Sequence, residues 1–109
     1  MKKIRVFCGG LLVALSTIST LSFADPVWID VRTLSENLRN NIPGDIRISH
    51  SNIVREVTKL YPDKSTEIHL YDKTGGRSDI ALSALEREGY EFVTNEGSIE
   101  EAKQKRGLN

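Results

Sequence analysis

The segment from Thr66 to Gly89 constrains this chain more than any other. A short apolar run, Ile68-His69-Leu70-Tyr71, reads as a strand; Asp72-Lys73-Thr74-Gly75-Gly76-Arg77 reads as a tight loop; a helix opens at Ser78 and carries Ile80, Ala81, Leu82, Ala84 and Leu85 before Gly89 closes it in a left-handed conformation. A strand that feeds a glycine-rich loop into a helix aims several backbone N–H groups, and the positive end of the helix dipole, at one point. Such a point is an anion cradle, and it is where a site is expected.

The flanking segments repeat the alternation. Val27 to Val31 is an almost continuous run of strand formers, as in a strand covered on both faces. Thr33 with Glu36 is a capping box, which predicts a helix from Leu34 to about Arg39. Pro43-Gly44 marks a turn, Ile46 to Ile48 a second strand, and Ser49 or Ser51 can cap a helix with Ile53, Val57 and Leu60 on one face. Glu91 to Thr94 is a fourth strand, and a second capping box at Ser98 and Glu101 starts a terminal helix ending near Arg106-Gly107. Strands and helices in alternation predict an α/β domain with a mainly parallel central sheet flanked by helices. Ligands then sit beyond the carboxyl ends of the strands, which places Asp30 and Arg32 beside the 72–77 loop.

The N-terminus has a different composition. Lys2, Lys3 and Arg5 precede an apolar run from Val6 to Phe23, and Ser22-Phe23-Ala24 ends it in a small-x-small pattern. This is the organisation of a secretory signal peptide, with cleavage expected after Ala24 and a periplasmic destination. An uncleaved anchor is the competing reading, disfavoured by the Ser and Thr content of the run. Lipidation at Cys8 is rejected because Phe7 precedes it where a small residue is needed. Removing residues 1–24 leaves 85 residues, one domain over 25–109, with net charge −3. That balance argues against nucleic acid or a membrane surface as partner after cleavage. The leader also takes the only cysteine, so the mature domain is expected to have no thiol.

The order of these elements resembles the rhodanese-like (sulfurtransferase) family. The resemblance rests on Asp30-Val31-Arg32 after an apolar strand, Ile42-Pro43-Gly44 before Ile46-Arg47-Ile48, a Tyr-ended strand before a six-residue loop closed by Arg77-Ser78, and Gly89-Tyr90 leading to Val93 and Gly97. Small size and a leader make it most similar to the exported, single-domain phage shock protein E type. In active members the first loop residue is a cysteine whose thiolate accepts a sulfane sulfur from a donor such as thiosulfate. Asp72 stands at that position here, and a carboxylate cannot carry a persulfide. Asp45 and Ser49 also depart from the family's preferred small residue and proline.

The resemblance therefore implies a domain with no intact catalytic residue. Its cradle would be Asp72, Lys73, Thr74, Gly75, Gly76 and Arg77, supported by Asp30, Arg32 and Ser78, with Asp72 filling the cradle itself and Arg77 bonding loop carbonyls or the Asp72 carboxylate. The expected role is binding or regulation, with a protein or a small anion as partner; the alternative is sulfurtransferase-family activity by an unusual route. Asp72-Lys73-Thr74-Gly75 also looks like the phosphorylated-aspartate motif of P-type ATPases. Aspartate-based phosphoryl transfer needs a Mg²⁺ site and a larger fold than 85 residues allow. No metal site or cofactor is assigned: His50 has no acidic or cysteine partner at metal spacing, and His69 reads as a satisfied strand histidine. Trp28 reads as core, the basic end Lys103, Lys105 and Arg106 as a helix C-terminus needing no partner, and the domain as a monomer.

Overall fold

The computed structural model describes residues 24–108, so the leader, its cleavage site after Ala24 and Cys8 lie at or beyond the edge of the described residues. Four strands, β1 (Val27–Asp30), β2 (Ile46–Arg47), β3 (Glu67–Asp72) and β4 (Phe92–Ser98), form one sheet in the order β2-β1-β3-β4. Every pairing is parallel. Four helices alternate with them: α1 (Leu34–Arg39), α2 (Ile53–Leu60), α3 (Gly76–Arg87) and α4 (Ile99–Lys105). The expected α/β architecture with a parallel sheet is therefore the observed one, and here it is parallel throughout.

Both faces of the sheet are covered, which explains the near-continuous apolar strands. On one face Ile29, Ile68 and Leu70 join Ile53 and Val57 of α2 and Ala81 and Leu85 of α3 in the main core. On the other, Tyr71 packs with Ile42 and with Ile99 and Ala102 of α4. Burying an aliphatic side chain of this size contributes roughly 1.5–3 kcal/mol. Strands β1 and β3 lie at the centre of the sheet and contribute Ile29, Ile68, Leu70 and Tyr71 to these two cores, so they are the frame on which the loops are held.

Local signals account for most boundaries. Both capping boxes form, Thr33 with Glu36 and Ser98 with Glu101. Gly89, at φ 100°, follows the α3 cap, and the Tyr90 N–H bonds the Leu85 carbonyl in a helix-closing motif.

Several expectations are corrected. Helix α3 opens at Gly76, two residues before Ser78, because Gly75 at φ 96° turns the chain directly into the helix. Ser49 caps a single 3₁₀ turn, His50–Asn52, that leads into α2. Leu60 and Ile80 are more than half exposed; Leu60 lies in the last turn of α2 beside an edge strand of only two residues, too short to cover it. Strand β4 continues through Asn95-Glu96-Gly97 to Ser98, with an irregular register opposite Leu70 to Asp72. Trp28 does pack against the core, at the margin of the Tyr71 cluster, where it is half-buried with its ring stacked on His69 and covered by the Arg106 guanidinium.

Candidate functional site

Strand β1 lies beside β3, and the chain leaves them in opposite directions, to β2 on one side and β4 on the other. The crevice between their carboxyl ends is the switch point at which open α/β sheets bind ligands. Asp30 pairs in register with Tyr71, and the Val31 N–H bonds the Tyr71 carbonyl at 3.0 Å, so Asp30-Arg32 and the 72–77 loop emerge side by side.

Asp72 is the last residue of β3 and is fully buried. Its carboxylate turns into the loop. Oδ1 accepts the Gly75 N–H, and Oδ2 accepts those of Arg77 at 2.7 Å and Ser78 at 3.3 Å. These are donors that the first turn of a helix leaves without intrahelical partners. The N-cap residue is Gly75, which has no side chain to offer them, so Asp72 caps α3 from a distance. Its charge also lies at the positive end of the helix dipole. Gly75 is favoured there because its φ is positive, a conformation that L side chains rarely adopt; its carbonyl accepts the Asn95 amide at 2.9 Å.

Arg77 stands beside the Asp72 carboxylate, as the sequence suggests, but its main partner lies further off along the chain. Its two terminal nitrogens grip the Glu36 carboxylate at 2.8 and 3.0 Å, while its Nε stands 3.8 Å from Asp72 Oδ2. It therefore ties α3 to α1 instead of bonding loop carbonyls. The hydrogen bonds from Arg77, then from the Thr33 backbone, hold the Glu36 carboxyl far below the usual carboxylate range. Stability from this contact is fully present above the ordinary carboxylate value of about 4.3 and is lost as pH falls from there through the lowered folded value. Glu36→Gln keeps the capping-box geometry but removes the charge. It should cost roughly 1 kcal/mol at neutral pH, as expected for a part-exposed pair, and denaturant melts should show that deficit shrinking progressively below about pH 4.3.

Asp30 and Arg32 form a buried bidentate pair, Nε to Oδ1 at 2.9 Å and Nη2 to Oδ2 at 2.8 Å. Asn37 donates to the same carboxylate at 3.0 Å, and Arg32 also reaches the Asn40 carbonyl at 2.5 Å. The pair fixes the loop after β1 against α1. Ser78 is fully buried, its N–H on Asp72 and its hydroxyl without a partner among the described residues. The structure thus brings together Asp72, Gly75, Arg77 and Ser78, with Asp30 and Arg32 alongside. Lys73 and Thr74 face outward and line an open cleft of about 340 Å³ with Arg32, Glu36, Arg39 and Glu100.

Sequence reasoning missed two groupings. The basic end of α4 finds partners within the chain: Arg106 grips Asp45 at 2.6 and 3.1 Å and Lys105 bonds Glu96 at 2.6 Å. Asp45 also accepts the Tyr71 hydroxyl at 2.8 Å. Glu36, the partner of Arg77, reads in the sequence only as half of a capping box. Nothing in the local sequence links it to a residue 41 positions away.

Chemically, the loop presents an anion hole that already contains an anion. No cysteine occurs among the described residues, and no group of three or more His, Cys, Asp or Glu that could hold a metal occurs among them.

The rhodanese-like domain family matches residues 17–105. No curated protein matches the sequence significantly. Among solved structures, a rhodanese with anions from E. coli shares 27% identity at a TM-score of 0.67, over 71% of this chain and 91% of that one. A human single-domain sulfurtransferase aligns at 21% identity and a TM-score of 0.60, over 88% of this chain and 92% of that one. The thiosulfate sulfurtransferase of Pseudomonas aeruginosa aligns at 24% identity and a TM-score of 0.66, over 90% of this chain but only 18% of that protein.

Proposed function

Because the chain belongs to the rhodanese-like domain family and is related to its sulfurtransferases, we propose that it is an exported member, of the phage shock protein E type, that does not transfer sulfur and acts by binding or regulation through the 72–77 loop. One observation carries this reading: the Asp72 carboxylate occupies the ring of Gly75, Arg77 and Ser78 N–H groups. Sulfur transfer by the family's route needs a low-pKa thiolate at that point, held by those same donors. A carboxylate satisfies the donors and offers no sulfur nucleophile. With its inner ring filled, the loop meets a partner through its outward residues, Lys73 and Thr74, and the cleft beside them.

The leader-like segment supports export, with cleavage after Ala24 removing Cys8, the one cysteine of the sequence. The purified protein is expected to form no thiocyanate above buffer from saturating thiosulfate and cyanide. Turnover that co-purifies with the protein and disappears in an Asp72→Ala variant would overturn the inert reading in favour of sulfur transfer by another route.

A further inference from the structure

The amino-terminal half of β3 carries a second arrangement, away from the loop. His69 is bound at both ring nitrogens by carboxylates: Nδ1 lies 2.6 Å from Glu96 Oε2 on β4, and Nε2 lies 2.6 Å from Glu67 Oε2 on its own strand. Its ring also stacks on Trp28 of β1, centroids 4.3 Å apart and planes 11° from parallel. An ionised carboxylate only accepts, and a neutral imidazole has one N–H to give. Both contacts are hydrogen bonds only when the ring carries both protons.

We propose that His69 is a protonation-dependent clasp: with two ring protons it holds Glu67 and Glu96 together across the β3–β4 edge, and with one it keeps Glu96 and releases Glu67. The asymmetry follows from the surroundings. Glu96 is buried, which pushes its carboxyl up, but the Lys105 and His69 contacts outweigh burial and leave it lowered. It therefore remains an acceptor, tied by Lys105 of α4, and Nδ1–H stays with it. The Glu67 side chain is more than half exposed and can turn to solvent when the Nε2 proton leaves to water. The charged groups around the ring are Glu67 on β3, Glu96 on β4, and Lys105 and Arg106 on α4; β1 contributes only Trp28. Arg106 covers Trp28 at 4.1 Å and pairs with Asp45, so it is already neutralised. Glu67 also lines the open cleft beside exposed Phe92 on edge strand β4, so the clasp decides whether an acidic side chain is fixed or mobile there.

Trp28 is the only tryptophan of the chain, which gives the clasp a direct reporter. A stacked imidazolium accepts electron density from excited indole and quenches it; the neutral ring does so far less. Emission followed from below to above the interval of about pH 5 to 8 in which histidines generally change charge should rise in one step in the wild type and in His50→Gln. The step should be lost in His69→Gln. In the wild type, the Glu67 side-chain carboxyl ¹³C signal should move with the same transition while that of Glu96 stays, a reading that needs no variant to fold. Emission flat across the range, a step that survives in His69→Gln, or movement of Glu96 in place of Glu67 would each overturn the clasp.

Discussion

An Asp72→Ala protein is expected to unfold about 3–5 kcal/mol more easily than the wild type, because buried donors that lose their acceptor cost roughly 1–3 kcal/mol each and their losses overlap. For a domain of this size that lowers the melting temperature by at least about 12 °C. Three N–H groups depend on one carboxylate, and each hydrogen bond to a charged group typically contributes roughly 1.5–3 kcal/mol, though not additively. The site is fully buried, so alanine leaves these donors facing a void with restricted access to water. It also leaves the positive end of α3 without its counter-charge. A second consequence separates an empty cradle from a merely damaged core. A small anion that enters the vacated ring should stabilise Asp72→Ala by an amount that grows with the logarithm of its concentration, about 2.7 kcal/mol at a hundred times its dissociation constant, and raise its melting temperature accordingly. Sulfate or thiosulfate should act this way on the variant and not on the wild type, whose ring is filled. Thermal melts over a concentration series make the comparison. A wild type and variant that melt together, with no response to anions in either, would mean that the carboxylate contacts carry no weight.

Much of this arrangement is legible in the sequence because its determinants are local. The capping residues of α1 and α4 and the apolar strands β1 and β3 each act over a few positions, and each forms the element expected of it. The outline of the cradle is readable for the same reason. What escapes a linear reading is set by pairing at a distance. Strand β4 runs on through Asn95-Glu96-Gly97, residues with poor strand propensity, because Glu96 is held by His69 and Lys105 and Asn95 by the backbone of Gly75. Arg77 turns to Glu36 because α1 lies above the loop, a fact of topology and not of either segment's composition. Trp28 packs against the second core as expected, but the stacking on His69 and the Arg106 guanidinium over its ring are contacts that no apolar periodicity signals. The cores and caps follow from nearest neighbours, whereas the ion pairs around the site follow from the order of the strands.

The cradle that holds the Asp72 carboxylate should equally hold a thiolate, so Asp72→Cys is expected to give the loop a reactive thiol. The N–H groups of Gly75, Arg77 and Ser78, the first turn of α3 and the Arg77 side chain near Oδ2 remain in place in this variant. Together they should bring the new thiol well below the free value of about 8.5. Its thiolate would attack the sulfane sulfur of thiosulfate, forming the S–S bond of a cysteine persulfide as the sulfur–sulfur bond of thiosulfate breaks and sulfite leaves with the electron pair. A Cys8→Ser background leaves one thiol to follow, and Asp72→Ser in the same background should neither alkylate nor gain mass. The deciding measurement is intact mass after incubation with thiosulfate, read beside the alkylation rate against pH. A gain of one sulfur atom on the cysteine variant, with alkylation already fast below neutral pH, is the predicted result. A folded cysteine variant that alkylates like a free thiol and takes up no sulfur would contradict the account, because the loop would then not be the family's anion cradle with Asp72 as its occupant.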